Sequence, residues 1–296
     1  MNKIIFLIMA LAIGAFGCSS MSDKAKQKRS GIVVYDSSKS KTAAGPIIKR
    51  DVKVSSGVMK LVNTTSADIE FRKGQPAVTI EGPENVIDKL EILEKGVTLN
   101  IGIKRDVRNV SLSKVKIIVS LPTVREITIN GSGDLKADVL DSDALDVSIQ
   151  GSGDVTIGSI AATSLKINVQ GSGDVRINKI DCSNVQFLTQ GSGDIEIKTA
   201  LSTVLKTTIQ GSGDIQVGSV EGSQIDAVVQ GSGDTRFSNI IVTNLRVLSQ
   251  GSGDVEVSGK ASAASFTIQG TGDISARKLT CDRISKSKQG LGEFYR

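Results

Sequence analysis

The amino-acid sequence predicts an all-β chain whose C-terminal half is a β-solenoid of 20-residue coils, preceded by an irregular N-terminal β cap. Three observations predict it. Gly-Ser-Gly-Asp recurs at Gly131, Gly151, Gly171, Gly191, Gly211, Gly231 and Gly251, followed by Gly-Thr-Gly-Asp at Gly270 and Gly-Leu-Gly-Glu at Gly290. The step is 20 residues, with one step of 19, and seven perfect copies in register exclude chance. The columns between the motifs separate into apolar and polar positions, and no repeat holds a helix-length amphipathic stretch. Finally, 31 Gly stand against four Pro, and aromatics make up only 3% of the chain, so short strands joined by tight turns must be packed mainly with Val, Ile, Leu and Ala.

Residues 1–17 read as an export signal. Lys3 supplies the positive start, Ile4 to Ala15 an apolar run too short to span a bilayer comfortably, and Gly17-Cys18 a small-residue cleavage point. Ala15-Phe16-Gly17-Cys18 matches the pattern of a lipidation site, which makes Cys18 the candidate acylated first residue, although ordinary signal cleavage also fits Ala15 and Gly17. Residues 18–45, rich in Ser and Lys, read as a solvated tether to the membrane.

Residues 46–130 alternate apolar and polar side chains in short runs such as Ala67-Ile69-Phe71, Val97-Leu99-Ile101 and Val115-Ile117-Val119, interrupted by Gly74, Gly82-Pro83 and Gly102. Period two bounded by turn residues means strands, with one helical turn allowed within 84–93. This region is expected to be the irregular beginning of the sheet stack that becomes regular over residues 131–296.

In the regular part the residue after the Asp is apolar, as in Leu135, Val155, Val175 and Ile195, with Thr235 the exception. Leu145, Leu165, Val185 and Leu205 form another apolar column, separated by polar residues such as Lys166, Gln186 and Lys206. Each coil is read as a strand of about six residues, a Gly-Ser-Gly corner, a shorter strand and a second, polar corner. One such coil cannot bury its inner face alone, and stacking closes the core. Cys182 and Cys281 fall in one column five coils apart, about 24 Å at ~4.8 Å per coil, which forbids a disulfide within the chain.

Identical residues in successive coils form rows. Gln150, Gln170, Gln190, Gln210, Gln230, Gln250, Gln269 and Gln289 are placed to hydrogen-bond from coil to coil. The glycines fit a corner that needs positive φ or close approach of coils. Asp134, Asp154, Asp174, Asp194, Asp214, Asp234, Asp254 and Asp273, with Glu293 last, make a row of like charges that repel by about 1 kcal/mol per step in water. Something must offset this. The architectural reading has each carboxylate accept hydrogen bonds from corner amides or hydroxyls; the alternative is a row of cation sites holding Ca²⁺, although one carboxylate per coil supplies few ligands for a calcium cage.

The chain has no His, which removes Ser-His-Asp and Cys-His catalysis and most catalytic zinc sites. No cofactor is expected, and the scarcity of aromatics together with dispersed basic residues argues against a nucleic-acid partner. The lipidation-like signal, the irregular β region and the repeated Gly-Ser-Gly-Asp coils together resemble the DUF2807 family, putative autotransporter adhesins with a head GIN domain. The resemblance implies a right-handed parallel β-helix at the cell envelope, an outer-membrane or cell-surface location facing periplasm or exterior, and an adhesin-like role with an unidentified surface protein or glycan as partner. A non-catalytic envelope lipoprotein is therefore expected, with a carbohydrate-active β-helix enzyme of the lyase or hydrolase type as the alternative. Phe294-Tyr295-Arg296 follows directly on the last corner, so this end is expected either to self-associate as a homo-oligomer contact or to be covered by Phe294 and Tyr295.

Overall fold

A computed structural model describes residues 45–296; the export signal, Cys18 and the tether lie outside the described residues. The chain enters through β1 (Ile47–Lys53), β2 (Lys60–Asn63), β3 (Asp68–Lys73) and β4 (Ala77–Pro83), then a single helical turn, α1 (Glu84–Ile87). It continues through β5 (Leu90–Lys95), β6 (Thr98–Ile103), β7 (Lys116–Leu121) and β8 (Glu126–Ile129). The helical turn expected within 84–93 is therefore present but short, because the alternation of Leu90 to Lys95 resumes as a strand.

Eight coils follow, each a nearly continuous strand: β9 (Leu135–Ile149), β10 (Val155–Val169), β11 (Val175–Thr189), β12 (Ile195–Ile209), β13 (Ile215–Val229), β14 (Thr235–Ser249), β15 (Val255–Ile268) and β16 (Ile274–Lys288). A short β17 (Phe294–Tyr295) ends the described chain. Successive coils pair in parallel and in register, for example Val155 with Val175, Ile157 with Ile177, and Ile167 with Phe187. The chain is a β-solenoid of about eight turns with roughly 20-residue coils.

The coil differs in one respect from its expected form: it has three sides and three corners. In β9 the inward residues are Leu135 and Ala137, then Leu140 and Ser142, then Leu145, Val147 and Ile149, and pairs of outward residues, Asp138-Val139 and Asp143-Ala144, interrupt the alternation twice. One extra residue in a period-two pattern puts the next side chain on the wrong face, and only a bend returns it to the core. The third corner is Gln150-Gly151-Ser152. The core is continuous from Val58 to Leu279 and dominated by Ile, Val and Leu, with Phe187, Phe237 and Phe266 as its largest fully buried side chains among the coils.

The 19-residue step falls at the first bend of β15. Pairing between β14 and β15 jumps from Phe237–Val257 to Ile240–Gly259, so one residue does the work of two. Gly259 has φ +120°, and a Cβ there would sit 2.3 Å from the Ile240 carbonyl oxygen, so only glycine fits.

Toward the N-terminus two of the three sides are prolonged. The first side of β9 pairs with β3, β3 with β7, β7 with β4 and β4 with β1, the last two antiparallel. Its third side pairs with β8, β8 with β2, β2 with β6 and β6 with β5, the last again antiparallel. Among the described residues β1 and β5 each have one paired edge, and Lys49, Arg50, Asp51 and Lys53 in the first and Glu91, Glu94 and Lys95 in the second make those open edges poor templates for another strand.

Candidate functional site

The Gly-Ser-Gly-Asp corner is built by backbone contact. The Gln190 amide donates to the Val169 carbonyl (2.8 Å) and the Ser192 amide to the Gly171 carbonyl (3.0 Å), and equivalent bonds recur from the Gly151 corner onward. A Cβ on Gly191 would lie 2.0 Å from the Gly171 oxygen, and one on Gly193 2.0 Å from the Gly173 oxygen. None of the corner glycines has positive φ. Close approach of coils, not left-handed backbone, is what requires glycine here.

The eight Asp residues form one ladder along the first side. Each main-chain amide donates to the Oδ1 of the Asp one coil earlier: Asp154 to Asp134 (2.9 Å), Asp194 to Asp174 (3.0 Å), Asp214 to Asp194 and Asp234 to Asp214 (both 2.7 Å), ending with Glu293 on Asp273 (2.7 Å). A second bond runs the other way, since the Val175 amide donates to the Asp194 carbonyl (2.8 Å). Each carboxylate thus caps the amide of the following coil, a charge-assisted bond that offsets the repulsion along the row. Arg176 adds local neutralisation by bridging Asp154 (3.3 Å) and Asp174 (2.7 Å) through their Oδ2 atoms.

The ladder starts one rung earlier than the motif. The Asp134 amide donates to Asp68 Oδ1 (3.0 Å), and Gly131 and Gly133 stack on Thr65 and Ala67. Thr65-Ser66-Ala67-Asp68 is therefore the first corner, with Thr and Ala in place of the two glycines. No Gly-Ser-Gly corner precedes it, so their Cβ atoms meet no neighbouring corner carbonyl. Asn63 supports this rung: its Oδ1 accepts from the Thr65 amide (3.0 Å) and hydroxyl (2.8 Å), and its Nδ2 donates to the Ala67 carbonyl (3.1 Å). The expected Gln row forms a continuous chain of amide bonds from Gln170 to Gln289, with steps of 2.7–3.4 Å.

Two open grooves flank the Asp row. One, of about 750 Å³, lies at its start between Asp68, Glu70, Lys116, Asp134 and Lys136. The other, of about 480 Å³, lies near its end between Asp254, Glu256, Arg236, Arg277 and Tyr295. Among the described residues no three His, Cys, Asp or Glu side chains converge on a metal-sized space. The donor set explains this: Oδ1 is engaged by an amide at every step, leaving one oxygen per coil where Ca²⁺ takes six to eight. The two cysteines share the predicted column, with Cys182 paired beside Ala162 and Cys281 beside Ala261, and both are free thiols. Burial pushes the Cys182 thiol up to about 11, which leaves it protonated and unreactive at neutral pH.

At the last coil Lys286 and Lys288 occupy inward columns held in the preceding coil by Phe266 and Ile268. The Lys286 ammonium lies 4.4 Å from the centroid of Phe294, whose ring packs 5.0 Å from that of Phe266, and Lys288 pairs with Glu293 (2.6 Å). Of the two aromatic residues expected to cover this end, Phe294 does so, while Tyr295 stays 37% exposed beside Arg277.

The model of the family described as putative auto-transporter adhesin, head GIN domain (DUF2807) matches residues 59–239 and 218–295. Solved structures share the fold, among them the following three. A putative lipid binding protein from Parabacteroides distasonis is 20% identical with a TM-score of 0.63, the match covering 85% of this chain and 98% of that one. A putative adhesin from Parabacteroides merdae is 16% identical with a TM-score of 0.62, covering 85% and 97%. A putative adhesin from Bacteroides fragilis is 21% identical with a TM-score of 0.51, covering 84% and 96%. No curated protein matches the chain significantly.

Proposed function

Starting from the fact that the chain belongs to the DUF2807 family, we propose that it is a non-catalytic, adhesin-like binding module of the cell envelope, exported and held at the membrane through a lipid on Cys18. The observation that carries this reading is the engagement of the repeated carboxylates: each Asp Oδ1 accepts the amide of the next coil, so the most conspicuous acidic groups serve stacking. What the stack offers a partner is a long set of flat sides with open grooves, suited to a surface protein or glycan. The Ser- and Lys-rich segment 18–45 and the position of Cys18 at the predicted cleavage point support attachment at that end.

Two measurements test the reading. Cys18→Ser is expected to move the protein from the membrane fraction to the soluble fraction, and continued membrane retention would refute lipid attachment at Cys18. The purified mature protein is expected to be retained on bacterial or host surfaces, or on a glycan or matrix-protein array, without releasing reducing sugar from mixed polysaccharides. Sugar release would instead establish the carbohydrate-active alternative.

A further inference from the structure

Charge is distributed along the solenoid in a way the repeat does not require. Residues 131–273 carry nine Lys and Arg against 17 Asp and Glu, whereas residues 274–296 carry six against two. An acidic body thus ends in a basic coil. The six are Arg277, Lys278, Arg283, Lys286, Lys288 and Arg296, and among the described residues only Lys288 has a carboxylate partner within ion-pair distance. Two of them, Lys286 and Lys288, stand in columns that are apolar in the coil beneath.

The same coil also breaks the corner pattern. Every earlier Gly-x-Gly corner has Ser or Thr in the middle, and here Leu291 takes that place with 81% of its surface exposed. Its backbone is held like the others, with the Leu291 and Gly292 amides donating to the Gly270 carbonyl (2.9 and 3.2 Å). A rigid corner thus displays a bare leucine, with half-exposed Tyr295 in the short strand that follows.

We propose that this coil is a docking tip for an anionic lipid surface. Cations that reach phosphate headgroups, combined with an apolar side chain and a tyrosine suited to the interface, are the chemistry by which a peripheral surface engages such a bilayer. A soluble polyanion would use the cations but leaves Leu291 without a role, and the acidic coils of residues 131–273 separate this basic coil from the basic residues of the N-terminal region.

The chain contains no Trp, so Leu291→Trp places the only indole at the tip. In the full chain carrying Cys18→Ser, its emission is expected to shift to the blue with vesicles of phosphatidylglycerol and phosphatidylcholine, and to stay unchanged with phosphatidylcholine alone. Ser172→Trp, at a corner in the acidic body, is expected not to shift with either. Adding Lys278→Glu and Arg283→Glu, both at bends, should weaken the vesicle titration by more than about tenfold while circular dichroism stays unchanged. The proposal fails if Leu291→Trp does not respond to anionic vesicles, or if Ser172→Trp responds equally. It fails too if dextran sulfate or higher protein concentration alone reproduces the shift, which would assign the tip to a polyanion or to a second copy.

Discussion

From Leu135 onward the strands meet their neighbours in register, one coil along, except at the one-residue shift in the first bend of β15, so inward side chains sit on residues of the same column. Between Ile47 and Ile129 no two strands are interchangeable: parallel pairs built from β2, β3, β7 and β8 are flanked by antiparallel ones, and ion pairs such as Arg50–Asp88 (2.7 Å) and Lys60–Glu126 (2.5 Å) tie segments 38 and 66 residues apart. The regular region obtains its specificity by repeating one solution, the N-terminal region by individual contacts. Repetition has a steric consequence. Once coils stack at β-sheet spacing, a corner tolerates no Cβ, whereas the first corner, with no equivalent beneath it, tolerates Thr65 and Ala67.

The largest expected effect breaks that contrast directly. Gly213→Ala puts a Cβ 2.0 Å from the Gly193 carbonyl and should cost about 3 kcal/mol or more in urea unfolding. Ala67→Gly, at the matching position of the first corner, should cost no more than about 1 kcal/mol. Equal losses would mean the first corner is packed like the rest.

Next in size is the carboxylate. Asp214→Ala leaves the Asp234 amide without its acceptor and should cost about 1–3 kcal/mol, while Asp214→Asn, which keeps an oxygen at the same place, should cost much less. In the N-terminal region Asp88→Ala removes only an exposed ion pair and should cost under about 1 kcal/mol. A smaller change of opposite sign is expected at Thr235, buried in an apolar column with a hydroxyl that finds no partner: Thr235→Val should stabilise by about 1 kcal/mol, seen as a higher melting temperature.

The two regions also differed in how much their sequences disclosed. Periodic columns made the solenoid, the Gln row and the shared cysteine column legible, because every error in register would have to be repeated in every coil. The middle side, Leu140 and Ser142 in β9, escaped notice because it is short and one of its two inward columns mixes Ser142, Cys182, Ser202, Gly222 and Val242, which carries no apolar signature. Asp68 was missed as the first rung because the glycines that mark the motif are dispensable where no corner lies beneath. Lys286 and Lys288 carry no signal in the sequence that sets them apart, and it is their pairing with Phe266 and Ile268 that places them in columns apolar in the preceding coil. In the N-terminal region the strands were legible from alternation, but their partners were not, since pairings such as β3 with β9 join residues 66 apart with no repeat to signal them.

The central claim is that the Asp row is part of the stack. Thermal unfolding of the intact chain with EDTA and with millimolar calcium tests it most directly. A ligand bound only to the folded state raises the melting temperature by mass action. With every Oδ1 engaged by an amide, the two curves should superimpose to within about 1 °C. A melting temperature several degrees higher in calcium, lost again in Asp214→Asn, would place a cation in the ladder and contradict the account.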